Sequence, residues 1–488
     1  MTVTISNPAG TALDDMAVDA FAATFRGQII QPDDFEYDGA RAVWNGMIDK
    51  YPALIVRCTG TADVVAAVNF ARGQNLGIAV RGNGHNVAGN AVRDGGLVID
   101  LSRMKGIQID PVKRVARAQP GVRWGDLDPE TQRHGLVTPG GEVSTTGIAG
   151  YTLGGGMGML QRKWGLACDN LLSAEVVTAS GEVVRASITE HPDLYWAIRG
   201  GGGNFGIVTW FEFQLHPLGP EVFTAMVAYP FADAASVVRA WADFTRQAPD
   251  EVTSEALLWR MLPLPDCPPE WQDMSVVLIG AMYAGPAAEG ERALQPLREL
   301  GTPLIDLSGP VSYVDSQKGP DPLFPDGALY YWKSLFLDQL DGDLIDAIIA
   351  QAARRPTPQT LVILRHLGGA IGRVPEDATA YGNRDARYNL SLDASWDDPA
   401  LNDEAIAWTR RAWSDLHDRA GGGVYLNFAG LGEDNGALAR AGYGGNYGRL
   451  REIKRKYDPA NLFRGNINIA PAATAMPAAS PSRFELGW

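Results

Sequence analysis

The feature that most constrains this chain is where its glycines fall. There are 56 glycines in 488 residues, and they gather in RGNGHN at 81–86, TPGGEVSTTGIAGYTLGGGMGM at 138–159 and IRGGGGNFG at 198–206. Glycine carries no side chain and reaches positive φ, so such clusters let backbone amides close on a ligand, phosphate oxygens above all. A single glycine loop is usually a plain tight turn. Gly82-Asn83-Gly84 is not a Walker loop, because no Gly-Lys-Ser/Thr follows, and not a dinucleotide fingerprint, because a strand follows where a helix would open. The repetition points to a ligand approached closely by backbone.

Periodicity organises the rest. TADVVAAVNFARGQNL (61–76) has apolar positions at helical spacing, with Asp63 in its first turn. GIAV (77–80) and LVIDLS (97–102) read as strands flanking the first loop. Residues 115–135 predict a strand, a turn and a helix opening at Trp124-Gly125-Asp126, and 173–186 a hairpin about Ser180-Gly181. Pro217 to Pro220 reads as a boundary. Beyond it the glycine clusters cease, and strands at 276–284, 360–374 and 386–396 alternate with helices at 232–247 and 399–417. That is the pattern of an α+β unit with a largely antiparallel sheet and helices behind it. The length suits two or three domains, and the Ala-, Pro- and Ser-rich tail 472–488 reads as a loosely held terminus.

Charge excludes some partners. Lys plus Arg is 42 against Asp plus Glu 57, a net charge of −15, with no basic stretch to track a phosphate backbone. Nucleic acid and acidic membranes are therefore not expected. MTVTISNPAG lacks the basic start and apolar run of a secretory signal, and no window nears 18 uninterrupted apolar residues, so the expectation is a soluble cytoplasmic protein. Cys58, Cys168 and Cys267 are too few and too far apart for a disulfide framework or a zinc site, and six dispersed histidines show no HxxxH spacing. No metal site is expected.

The three glycine runs, together with GGLVIDLSRMKGI (95–107), FGIVTWFEFQL (205–215) and YGGNYGRLREIKRKYDPANLFRGNINI (443–469), resemble the berberine-bridge-enzyme-like branch of the vanillyl-alcohol-oxidase family of FAD enzymes. The resemblance covers about 45–218 and 421–470. It implies an α+β fold: a two-part PCMH-type FAD-binding domain (1–219 and 421–488) with an inserted α+β substrate domain (220–420) carrying a mainly antiparallel sheet. FAD would lie along the glycine loops, with its ring at the border of the substrate domain. The resemblance places cofactor contacts at Arg81, Gly82, Asn83, Gly84, His85, Asn86, Gly140, Ser144, Gly147, Gly150, Gly155, Gly158, Asn170, Gly206, Ile207, Val208, Tyr447, Asn466 and Asn468.

In that family the histidine of the glycine loop is bonded to the flavin 8α-methyl, and His85 occupies its position. Many members add a second bond from a cysteine before the second glycine cluster; Val143 stands there in this chain, and Cys168 lies after the cluster. The expectation is monocovalent FAD, 8α-linked to His85, which favours hydride acceptance. Thr146 occupies the position through which oxidases of the branch admit O2.

Hydride removal from a C–OH or C–NH carbon is helped by a group that takes the heteroatom proton. The family's usual positions for it hold Gly442 and Gly372 in this chain. The candidates that remain are Tyr443 and the cluster Tyr330-Tyr331-Trp332-Lys333-Ser334, placed by the resemblance on the sheet facing the flavin, with Tyr331 as the base and Lys333 as the cation a tyrosine base needs. His366 and Tyr447 are weaker ones. Missing bases favour an amine or an activated alcohol. The leading expectation is an oxidase passing hydride from a small amine, sugar or secondary metabolite to FAD and then to O2. A noncovalent-FAD dehydrogenase using another acceptor and a flavin-binding protein without turnover are the alternatives.

Overall fold

The computed structural model describes residues 15–262 and 269–473. The terminal segment 474–488 and Cys267, both named above, lie outside them. Four sheets carry the molecule. The first runs in the order Gln28–Ile30, Leu54–Arg57, Leu97–Asp100, Ile78–Arg81, its last two pairings parallel. The second is antiparallel: Ile107–Asp110, Val115–Ala118, Ile207–Gln214, Leu171–Val177, Val183–Ser187. Leu136–Val137 and His216–Pro217 form a small two-stranded ladder.

The helix expected over 61–76 spans Thr61–Gly73. Asp63 reaches back to accept from Thr59 N at 2.9 Å and Thr59 Oγ1 at 2.6 Å, which satisfies donors at a helix start. Val64, Ala67, Val68 and Ala71 form the stripe it buries against the first sheet.

Residues 221–396 supply an eight-stranded antiparallel sheet. Its order is Ile305–Asp306, Glu221–Pro230, Ser275–Tyr283, Val252–Arg260, Leu361–His366, Tyr388–Trp396, Leu329–Leu337, with Gly309–Ser312 also pairing to Glu221–Pro230. The helices Ala234–Thr245, Gly342–Ala353 and Asn402–Ala420 bury Trp241, Ile345 and Trp408 against one face. The run expected as one strand over 360–374 stops at His366. Gly368 (φ 81°) and Gly369 (φ 59°) turn the chain by a left-handed route into the short helix Ala370–Arg373.

The other face of this sheet looks toward the glycine loops. Because side chains alternate along a strand, Glu255, Arg365, Asp393 and Trp332 share that face, while Ala256, Leu364, Leu392 and Tyr331 enter the helix-side core.

The C-terminal helix Tyr447–Tyr457 is fastened to the third glycine run by a fully buried ion pair. Lys454 Nζ meets Asp458 at 2.6 Å and donates to Asn204 O and Phe463 O, both at 2.7 Å. Asn204 in turn donates to Ile467 O and accepts from Ile469 N. Among the described residues no helix is long and apolar enough to cross a membrane.

Candidate active site

One large cavity opens between the glycine runs and the eight-stranded sheet. Gly82, Asn83, Gly84, His85 and Asn86 line it from the first run, Gly147 and Gly150 from the second, Gly206, Ile207 and Val208 from the third, and Tyr443 and Asn466 from the C-terminal segment. No described residue accepts a hydrogen bond from the backbone N–H groups of Gly82 through Asn86. Gly84 has φ 75°, which gives the loop the concave shape in which successive amides converge on an anion. At Gly203 a Cβ would stand 2.7 Å from Asn466 Nδ2, so bulk there would collide with the C-terminal segment that carries Asn466. An extended cofactor with phosphates fits this surface: unspent amides at one end, and glycines that let it approach the backbone along the rest.

His85 is held at the cavity wall. Its ring stacks on Trp44 at 4.4 Å between centroids, and its Nε2 lies 3.2 Å from Thr145 Oγ1. Burial pushes the imidazole down to about 4, so the ring is neutral near pH 7 and keeps a lone pair. Val143 and Thr146 line the same cavity.

Other residues named from sequence do not line it. Arg81 is buried away from the cavity, where it donates to the carbonyls of Ala40 and Arg41. Gly140 sits under the Trp124 ring, and Gly158 packs on the Gly140 carbonyl. Gly155 packs on Tyr381, and Ser144 binds Asp321 through N and Oγ. Asn170 serves His216 and the carbonyls of Trp164 and Leu166. Tyr447 stacks behind Tyr443 at 6.5 Å. Asn468 is absent from the lining, unlike Asn466 two residues before it. Apart from Asn468, whose buried Oδ1 has no hydrogen-bond partner among the described residues, each of these glycines and polar residues shapes the loop or its support.

The expectation that Tyr331 and Lys333 face the flavin is corrected. Both lie on the helix-side parity of Leu329–Leu337. Tyr331 O–H donates to Glu433 and accepts from Arg410 Nε, and Lys333 Nζ meets Glu433 Oε2 at 2.7 Å and sits over the Trp413 ring. Trp332, between them, lines the cavity. Tyr443 does line it, but its O–H donates to Gly201 O at 3.2 Å, and burial raises its pKa. His366 accepts from Arg162 on the helix side, where burial holds it at about 2.

Sequence reasoning missed Glu142, Arg365, Tyr425, Phe324 and Phe428, all of which line the cavity beside Trp332, the member of the expected 330–334 cluster that does face it. Glu142 sits between a glycine pair and Val143, a setting that reads as a turn. Arg365 is flanked by Glu255 at 3.8 Å and Asp393 at 3.9 Å and donates to Ser391 Oγ at 2.7 Å. Burial lowers its affinity for a proton, but the carboxyls of Asp393, Glu142 and Glu255 more than offset that. Burial in turn lifts Glu255 to about 8 and Asp393 to about 6, with Arg365 opposing both.

Comparison with known proteins identifies the class of molecule such a cavity belongs to. Residues 52–187 match the FAD binding domain family, and residues 424–470 match the family described as berberine and berberine like. The chain is 32% identical to (R)-6-hydroxynicotine oxidase of Paenarthrobacter nicotinovorans, over 92% of this chain and 97% of that protein. It is 29% identical to xylooligosaccharide oxidase of Thermothelomyces thermophilus, over 88% and 89% respectively. Among solved structures, 6-hydroxy-D-nicotine oxidase from Arthrobacter nicotinovorans superposes with a TM-score of 0.82 at 29% identity, over 92% of this chain and 99% of that one. The chain belongs to the berberine-bridge-enzyme-like family of FAD-linked oxidoreductases.

Proposed function

We propose that this enzyme is an oxidase that takes a hydride from a C–OH or C–NH carbon of a small organic substrate onto FAD tethered by one bond to His85, with O2 as the final electron acceptor. Bound flavin supplies a two-electron acceptor; the chain supplies the cradle, the attachment point and the substrate wall.

The observation that carries the reading is His85. It lines the cavity with a neutral ring fixed by Trp44 and Thr145, so its lone pair is available for attachment. Val143 lines the wall where a second attachment would need a thiol, which favours a single bond. Thr146, with valine's shape and a hydroxyl, lines the cavity at the position where the resemblance puts oxygen entry, which supports O2 as acceptor. The relatives named for nicotine and xylooligosaccharide oxidation put amines and sugars first among substrates to try.

The test is anaerobic mixing of the purified yellow protein with a panel of secondary alcohols, sugars and amines, including 6-hydroxynicotine and xylobiose. Bleaching of the flavin by one member, then rapid return of colour in air with one H2O2 per turnover, is expected. Bleaching followed by slow return in air would favour a dehydrogenase with another acceptor. No bleaching by any member would favour a flavin-binding protein without turnover.

A further inference from the structure

We propose that Glu142 is the proton acceptor of this enzyme, taking the heteroatom proton of the substrate as hydride leaves the adjacent carbon. The proposal rests on the flavin oxidoreductase reading above and names a residue of the same cavity.

Glu142 is the one carboxylate among the described residues lining the cavity. Its backbone is clamped on both sides from beyond the loop. Gln317 Nε2 donates to Gly141 O at 3.0 Å, and Ser144 N and Oγ donate to Asp321 at 2.7 and 2.5 Å. A Cβ at Gly141 would stand 3.1 Å from the Tyr151 ring, so the residue before Glu142 is held small and close-packed. A carboxylate aimed from such a support is positioned without a large ordering cost at the moment of reaction.

The other groups on the wall are already engaged. Tyr443 O–H donates to Gly201 O, and Tyr151 O–H donates to Met157 O. The Tyr425 oxygen accepts from Gly156 N at 3.1 Å and Asn427 Nδ2 at 2.9 Å, and burial keeps its pKa at about 12. Arg365 donates one hydrogen bond to Ser391 and shares its charge with Glu255 and Asp393. Glu142 is perturbed only by burial, which raises it, and by the charge of Arg365, which lowers it; no hydrogen bond holds its oxygens. A carboxylate with free oxygens and a proton affinity raised by burial above the ordinary carboxylate range is suited to general-base work.

The balance is simple. The substrate X–H bond (X = O or N) breaks, its proton forms an O–H bond on Glu142, and the electron pair left on X closes a C=X bond. The C–H electron pair departs as hydride to the flavin, so the substrate is oxidised and the flavin reduced by two electrons.

The test compares wild-type and Glu142→Gln holoenzymes over pH. The groups facing Glu142 are Arg365, Glu255 and Asp393 from the sheet and Tyr151 from its own side, and all remain in the variant. With equal flavin content and melting temperature, E142Q is expected to slow flavin reduction about 100-fold or more and to lose the limb of the wild-type profile that rises with pH. Sulfite, which adds to flavin N5 without turnover, gives a second readout. Removing a negative charge from the wall of the flavin cavity should tighten sulfite about tenfold. Unchanged reduction with an intact rising limb, or unchanged sulfite affinity, would overturn the proposal and leave the oxidoreductase reading standing. A wild-type flavin that no member of the panel reduces would overturn that reading, and the proton-acceptor role with it.

Discussion

His85 and Trp44 lie ring on ring, 4.4 Å between centroids and 17° from parallel, and Trp44 stacks on Tyr330 of the eight-stranded sheet by its own contact at 3.9 Å. Trp44 is therefore the spacer between the glycine loop and that sheet. Trp44 N donates to Gly84 O at 3.2 Å, and Trp44 Nε1 donates to Phe324 O at 3.1 Å. Asn45, fully buried, completes the joint by donating to Val87 O and Tyr330 O and accepting from Tyr330 N. His85 and the sheet side of the cavity are thus fixed by one dipeptide.

Trp44→Leu should loosen both. Loss of the stacks and the space they fill is expected to cost on the order of 3 kcal/mol and to lower the fraction of chains carrying attached flavin. Thermal melts and flavin fluorescence on denaturing gels check the two effects separately.

Lys454→Met should destabilise the chain by about 3–5 kcal/mol, because it strands a fully buried Asp458 carboxylate. The K454M/D458L double variant should recover part of the loss, which a double-mutant cycle by denaturant unfolding would measure.

Asp128, 2% exposed, is lifted by burial to about 8, with the Gln317 amide pulling the other way. The folded pKa lies above the unfolded one, so this group's contribution is fully present below about pH 4 and is lost as pH rises toward 8. Asp128→Asn should match wild type near pH 4 and exceed it in stability at pH 8. The gap should open by up to about 1.4 kcal/mol per pH unit across that window, read from urea midpoints.

Gly200 has φ 114°, and a Cβ there would stand 2.4 Å from Tyr381 N. Gly200→Ala should lower stability by on the order of 2–3 kcal/mol, whereas alanine at Gly150, which has open space around it, should leave the melting temperature nearly unchanged.

The glycine runs, His85 and the Thr61–Gly73 helix were legible because each is a local signal: φ freedom, a motif position and a 3.6 period. Strand facing was not. LYYWKSLFL has apolar residues at both parities, so no alternation distinguishes Tyr331 and Lys333 from Trp332; the helix Asn402–Ala420 on one side and the cavity on the other decide it. Glu142 was hidden for a related reason. Its meaning comes from Arg365 on a strand far along the chain, and nothing near it in sequence distinguishes a cavity carboxylate from a turn residue.

The most direct test of the central claim is acid precipitation of the purified wild-type and His85→Ala proteins, followed by asking where the yellow colour goes. Colour held in the wild-type pellet and released to the supernatant by H85A is the predicted result. Colour released by wild type, or retained by H85A, would contradict attachment through His85.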